Sequence, residues 1–226
     1  MAYRPRDDLV ERWGLNPHTT PVHLFELDGT PCDTMIVALD GGLNHLVPGV
    51  HPQMVVSGVN LGPNLSQDSY HSGTMGAARE AGLYGVPAIA ASFTSFDPVG
   101  MERAVEATLD IVAAAAAVLP VKAGNLARPK GALETTYFTT WPKPSADEPW
   151  RAHPERALLN AFCNGDLMLN INAPASWNGS WATTRLGVRW YRNAVRFGDH
   201  GDDATATFTI GAASVDHSIC LLYTSD

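Results

Sequence analysis

Apolar residues in this chain fall in short solid blocks separated by polar loops. Val22 to Leu27 predicts a strand ended by Asp28-Gly29. Met54-Val55-Val56 is short and wholly apolar, the pattern of a central parallel strand covered on both faces. Val86 to Ala91, entered through Pro87, and Leu167 to Asn172, stopped by Ala173-Pro174, predict two more strands. Helical spacings lie between these blocks. Thr30 is a candidate N-cap, Pro31 takes the first helical position, and Asp33 can reach back in a capping box. Met35, Ile36, Leu39 and Leu43 form the buried stripe of that helix, and Gly41-Gly42 weakens its end. A helix rich in small residues spans about Thr74 to Leu83. A longer one spans Pro98 to Leu119, with Met101, Val105, Leu109, Val112 and Ala116 on its buried side.

Other stretches are less regular. Residues 1–21 are polar and do not conform to the rest. The adjacent pair Asp7-Asp8 could hold a metal at a strand end. Arg4-Pro5-Arg6 before it cannot be a buried strand, so the pair reads as the start of a short helix, Asp7 to Trp13. Residues 121–156 carry prolines at 129, 142, 144, 149 and 154 and read as a loop-rich insertion with one strand near Thr135 to Trp141. Thr183 to Phe197 and Thr205 to Ile210 alternate as strands do, which makes 175–219 a β-rich extension. Residues 220–226 look like translated adaptor sequence instead of a natural end.

The stretch Ser57 to Phe93 reads as strand, polar loop, helix, strand. If both strands share one sheet, the loop lies at the carboxyl end of a strand, where open α/β sheets bind ligands. The Asn60 amide oxygen suits a hard metal, and Asn60 equally suits loop structuring. Asn64 has the same two readings. Asp68, the one carboxylate of the loop, could bind metal, move a proton or bond backbone amides. Ser72-Gly73-Thr74 opens a helix, where N–H groups and hydroxyls either hold a phosphate or simply cap. Tyr70 could pack over the loop, and His71 beside it is a satisfied surface group or a substrate neighbour. Trp177 and Trp181 read as packing residues or as a wall for a base.

Composition narrows these choices. The chain has 226 residues, 45% hydrophobic and 17% charged, enough for one α/β domain with an extension. Its formal net charge of −8 argues against a nucleic-acid duplex as partner and leaves a small phosphorylated molecule open. Cys32, Cys163 and Cys220 show neither a disulfide framework nor a zinc spacing, so a reducing, cytoplasmic setting is expected. No apolar run has the length of a membrane span. Nucleophile-elbow, zinc-protease, P-loop and dinucleotide fingerprints are missing from the sequence.

Ser57-Gly58-Val59-Asn60-Leu61-Gly62-Pro63-Asn64, then Asp68, then His71-Ser72-Gly73-Thr74 with Ala77-Ala78, resembles the signature of the SurE family of 5′/3′-nucleotidases. Gly29 to Asp33, Val86 to Ser92 and Leu169 to Pro174 are similar to three further family segments. The likeness runs from about Val22 to Phe93 and again over 167–174. It implies an α/β, Rossmann-like three-layer fold with a parallel-rich sheet over residues 22–174. It also implies a β-rich C-terminal extension used in dimers or tetramers. The implied activity is a metal-dependent phosphomonoesterase acting on nucleoside monophosphates with Mg2+ or Mn2+. Asn60 would then be a metal ligand. Asn64, Ser72, Gly73 and Thr74 would line the phosphate, and Asp68 would act in catalysis by orienting loop groups. The family's paired aspartates and its metal-binding serine have no counterpart here, since Asp7-Asp8 follows no strand. A chain shortened at both ends is therefore expected, poorly soluble or oligomeric alone. The rival expectation is a non-catalytic nucleotide- or phosphate-binding module, or a subunit that completes its site with another chain.

Overall fold

The computed structural model describes residues 2–15, 21–119, 154–187, 190–192, 195–197, 208–210 and 214–216. Near the start, β1 (Tyr3–Pro5) precedes helix α1 (Asp7–Arg12) and pairs antiparallel with β2 (Phe25–Leu27). Helix α2 (Pro31–Val37) follows, then an irregular wide turn (Ala38–Gly42) and α3 (Leu43–Leu46). Strand β3 (Val55–Leu61), helices α4 (Asp68–His71) and α5 (Gly73–Leu83), and strand β4 (Ala88–Phe93) come next. Helices α6 (Met101–Val118) and α7 (Pro154–Cys163) lead to β5 (Met168–Ala173). Four short strands close the described chain: β6 (Trp190–Arg192), β7 (Val195–Phe197), β8 (Phe208–Ile210) and β9 (Ser214–Asp216).

The centre is a three-stranded parallel sheet in the order β3-β4-β5. Every residue of β4 is buried, which its unbroken apolar run foretold. Ala88 and Ala90 face one way, into a cluster with Leu39, Met75, Ala78 and Ala81. Ile89, Ala91 and Phe93 face the other way, against Ala104, Ala107, Phe162 and Ile171. Helices thus cover both faces, and the molecule is an α/β protein of three layers. Small residues set the spacing on the α5 side. A Cβ at Gly76 would stand 2.7 Å from Cys32 Sγ, and one at Gly73 would stand 2.9 Å from Pro31 Cγ. Only glycine lets α2 lie this close on α5.

The capping box at Thr30 is present. The Thr30 hydroxyl accepts from the Asp33 N–H at 3.3 Å, and the Asp33 carboxylate accepts from the Thr30 N–H at 2.8 Å. The helix breaks at Gly41, whose φ is +101°, as the glycine pair suggested.

Several expectations change. The strand at 22–27 shrinks to Phe25–Leu27 and stays outside the central sheet, and Tyr3–Pro5, in a segment where no strand pattern was read, is its partner. Strand β1 is exposed and β2 exposes Glu26 with Phe25 and Leu27 half-buried, and Arg4 and Arg6 reach Glu26 as ion pairs. Asp7 and Asp8 do open a short helix, where Arg6 pairs with Asp8 at 2.9 Å. Of the stripe expected along one helix, Ile36 is exposed, Met35 of α2 and Leu43 of α3 are half-buried, and only Leu39, in the turn between them, is buried. Along α6, Ala104, Ala107, Thr108 and Ala115 are buried, and Met101 and Val112 of the expected side pack half-buried on the same core, while Val105, Leu109 and Ala116 are exposed. The fully buried positions are alanines and a threonine, which carry little hydrophobic period for a pattern to follow. Helix α7 was not foreseen. Residues 183–187 are not strand, whereas β6–β9 and β7–β8 pair antiparallel in the expected extension. The strand expected at 135–141, nearly all of the 121–156 insertion, and the 220–226 tail lie outside the described residues.

Candidate functional site

A polar network occupies the carboxyl edge of the sheet. Its position follows from one extra residue in β3. Ser57 pairs with Ala90, yet Asn60 pairs with Ser92. In a regular ladder Asn60 would face Phe93. The bulge brings it opposite the one hydroxyl of β4 instead. Gly58, at φ +115°, sits inside this bulge, and a Cβ there would run into the Ala91 carbonyl oxygen. Ser92 in turn pairs with Asn172. Asn60, Ser92 and Asn172 therefore form one row across the three strands.

Hydrogen bonds orient each member. Asn60 donates its amide N–H groups to the carbonyls of Leu61 at 3.1 Å and Gly62 at 2.8 Å. That turns its Oδ1 inward, where it accepts from Ser92 Oγ at 2.9 Å and Asn64 Nδ2 at 3.1 Å. Asn64 Nδ2 also donates to Ser92 Oγ at 2.6 Å. Asn64 is 5% exposed and Ser92 1%, so each bond replaces water that burial has removed. The Asn64 backbone is held as well. Its N–H donates to Asn172 Oδ1 at 2.8 Å. Its carbonyl accepts from Asn170 Nδ2 at 2.9 Å, Asn172 Nδ2 at 3.2 Å and Ser69 Oγ at 3.3 Å. Arg79 of α5 donates to the Ser69 carbonyl at 2.9 Å and ties α4 to α5.

The sequence-derived residues are placed as follows. Asn60 and Asn64 touch each other. Asp68 opens α4, is half-buried, and donates its N–H to the Leu65 carbonyl at 3.0 Å. Ser72 is the N-cap of α5, and its hydroxyl accepts from the Met75 N–H at 3.2 Å. Gly73 is exposed and Thr74 half-buried in the first turn. The described bonds bring Ser69 and, through it, Arg79 to Asn64, and do not bring Ser72, Gly73 or Thr74 to the asparagines. Tyr70 is 68% exposed and does not cover the loop. Trp177 and Trp181 pack on each other with ring centroids 5.3 Å apart, and Trp181 donates to Asp110 of α6 at 3.0 Å.

Ser92, Asn170, Asn172 and Ser69 complete the network and were missed as site residues. The signal was available. Asn170 and Asn172 are two polar side chains at strand period in an apolar strand, and Ser92 ends an otherwise apolar run.

The network is built from amides and hydroxyls and carries no formal charge. What it offers an anion is dipoles, with the N-terminus of an eleven-residue helix beside it. It does not fit a divalent cation on its own. The Asn60 oxygen already accepts two hydrogen bonds. Among the described residues no group of three or more His, Cys, Asp or Glu stands together to hold a metal ion.

Fold and site together define an α/β protein with a polar network at the carboxyl ends of its parallel strands. The chain belongs to the SurE family: the family model described as survival protein SurE matches residues 9–193. The 5'-nucleotidase SurE of Anaeromyxobacter sp. (strain Fw109-5) is 31% identical over 182 residues, covering 77% of this chain and 53% of the relative. The 5'-nucleotidase SurE of Sorangium cellulosum (strain So ce56) is 32% identical over 196 residues, 87% of this chain and 59% of the relative. A crystal structure of the SurE protein from Aquifex aeolicus aligns at a TM-score of 0.47 with 22% identity, over 82% of this chain and 57% of that one. The chain spans about half the length of the curated relatives it matches. No described helix is long and apolar enough to cross a membrane.

Proposed function

We propose that this chain carries the phosphate-holding part of a phosphomonoesterase acting on nucleoside monophosphates. One observation supports the reading: an asparagine network at the carboxyl edge of a parallel sheet, with Asn64 buried, holds Ser69, three residues before Ser72, the N-cap of α5. Relatives named 5'-nucleotidase support the substrate class. In this reading Asn64, Ser72, Gly73 and Thr74 hold the phosphate, and Asp68 orients loop groups around it. Hydrolysis adds water across the ester P–O bond: the water oxygen joins phosphorus, and a proton ends on the released nucleoside hydroxyl.

Dependence on Mg2+ or Mn2+ belongs to the same reading, with Asn60 as a ligand. That role requires the Asn60 oxygen to leave Asn64 and Ser92, and it requires carboxylates other than those the described residues bring together. Residues 22–174 would form the catalytic domain, and the β-rich 175–219 segment would serve a dimer or tetramer. That neither Cys32 nor Cys163 is in a disulfide suits a cytoplasmic setting.

The test measures phosphate release from nucleoside monophosphates with Mn2+ or Mg2+, before and after chelation, together with binding of inorganic phosphate. Asn64→Ala is expected to lower turnover and phosphate affinity together. Phosphate that binds wild type and Asn64→Ala equally would refute the cradle. Binding without turnover, under all metal conditions, would turn the reading into that of a non-catalytic phosphate-binding module.

A further inference from the structure

We propose that Asn172 is a positioning residue whose amide acts as a surrogate strand for Asn64. A β-strand neighbour offers a carbonyl to one N–H and an N–H to one carbonyl. The Asn172 side chain offers both groups to a single residue. Its Oδ1 accepts the Asn64 N–H at 2.8 Å and its Nδ2 donates to the Asn64 carbonyl at 3.2 Å. Asn170, two residues earlier on the same face of β5, donates a second N–H to that carbonyl at 2.9 Å. Asn172 Nδ2 also donates to Asn170 Oδ1 at 3.3 Å, which keeps the two amides in one orientation. Asn64 is thus added to the end of the sheet by a residue 108 positions away.

The consequence concerns the Asn64 side chain. A residue in a loop can rotate about φ and ψ; one clamped at both N–H and carbonyl cannot. With its backbone fixed, the Asn64 Cβ is placed so that Nδ2 reaches Asn60 Oδ1 and Ser92 Oγ, and those two bonds then fix the side chain. Those bonds hold the two candidate site asparagines in register. Strand β5 therefore acts on the loop after β3 without lying beside it, since β4 separates the two strands. The inference concerns how Asn64 is held, and its link to turnover rests on the phosphoesterase reading.

The experiment uses the full 226-residue chain. Side-chain NH2 resonances of Asn64 are assigned by their loss in Asn64→Ala. In wild type they are expected to be shifted from those of exposed amides and slow to exchange. Asn172→Ala should return them towards exposed-amide positions and speed exchange of the Asn64 backbone N–H by about tenfold, the factor that loss of one buried hydrogen bond of about 1.4 kcal/mol gives. Amides at the centre of β4, such as Ala90 and Ala91, should keep their protection. A purely structural role for Asn172 would leave the Asn64 side-chain signals where they are. Asn172→Asp keeps the size and the acceptor but removes the donor, so an intermediate shift is expected even if the alanine variant unfolds. Unchanged Asn64 signals in the folded aspartate variant would overturn the proposal. Inorganic phosphate is then titrated into wild type, Asn64→Ala, Asn172→Ala and the double variant. If wild type binds, Asn172→Ala should weaken binding in the presence of Asn64 and add nothing in its absence; equal losses in both backgrounds would overturn the proposal. Failure of wild type to bind phosphate defeats the phosphoesterase reading alone, and the resonances still decide the clamp.

Discussion

The two faces of β4 share a backbone and little else. Towards α6 the strand presents Ile89, Ala91 and Phe93, which pack with Phe162, Ile171 and the alanines of α6 into an apolar core up to the strand's last residue. Towards α5 it presents Ala88 and Ala90, then Ser92. That side is apolar for two steps and polar at the third, where Asn60, Asn64 and Ser92 share hydrogen bonds. Adjacent positions, Ser92 and Phe93, are both almost completely buried, yet one serves cohesion and the other orientation. An alternating strand can separate stability from a ligand edge at the same height in the fold, because successive side chains never meet.

Removing Phe93 should break that contrast most severely. Phe93 has no exposed surface and sits in the cluster that joins α6 and α7 to the sheet. Phe93→Ala is expected to cost about 3–5 kcal/mol through lost burial and the cavity left behind. Denaturant unfolding measures it. A cost below about 1 kcal/mol, typical of a surface change, would show that the α6 face is not the main source of cohesion. Asn64 side-chain resonances in this variant, while it stays folded, should be those of wild type.

Ser92→Ala tests the opposite face. It removes almost no volume but takes a donor from Asn60 Oδ1 and an acceptor from Asn64 Nδ2. A buried polar group left without its partner costs about 1–3 kcal/mol. The expected stability loss is therefore smaller than for Phe93→Ala, whereas the loss of phosphate affinity is larger. Equal affinity in both variants would mean that the network does not shape the site.

Much of this contrast was legible in the sequence. Solid apolar runs marked the parallel strands, but burial on both faces holds for β4 alone: β3, expected to be central and covered, is an edge strand of the described sheet with Val56 and Leu61 exposed, whereas the cap at Thr30 was legible because its chemistry is local. Asn60 and Asn64 could be singled out because polar side chains follow the apolar run Met54-Val55-Val56, although β3 continues through Asn60 to Leu61. What could not be read was the register. The extra residue that sets Asn60 opposite Ser92, and not Phe93, leaves no trace in composition. Asn170 and Asn172 reach Asn64 only through folding that brings together residues more than a hundred positions apart. The buried side of α6 was misread because a run of alanines has no hydrophobic period to follow.

Acidity separates the local cap from the network, with the smallest effect. The Thr30 hydroxyl and N–H donate to the Asp33 carboxylate and hold its pKa below the usual carboxylate value. A pKa lower in the folded state than in the unfolded one adds stability above the unfolded value, about 3.9 for Asp. That contribution disappears as pH falls through the folded value. Thr30→Ala should cost about 1 kcal/mol at pH 7, as N-cap losses do. Its deficit should shrink on acidification, because wild type then loses the charged partner that made the cap strong. Ser92→Ala removes bonds between amides and a hydroxyl, none of which titrates in this range, so its deficit should be the same at both ends. Asp8 and Glu26 also have lowered pKa values, through their bonds to Arg6 and to Arg4 and Arg6, and they shift the acid limb of all these proteins alike. The difference between each variant and wild type therefore isolates the cap from the network. A Ser92→Ala deficit that fell with pH as the Thr30→Ala deficit does would mean that a carboxylate reaches the asparagine row, and the neutral character of the site would have to be given up.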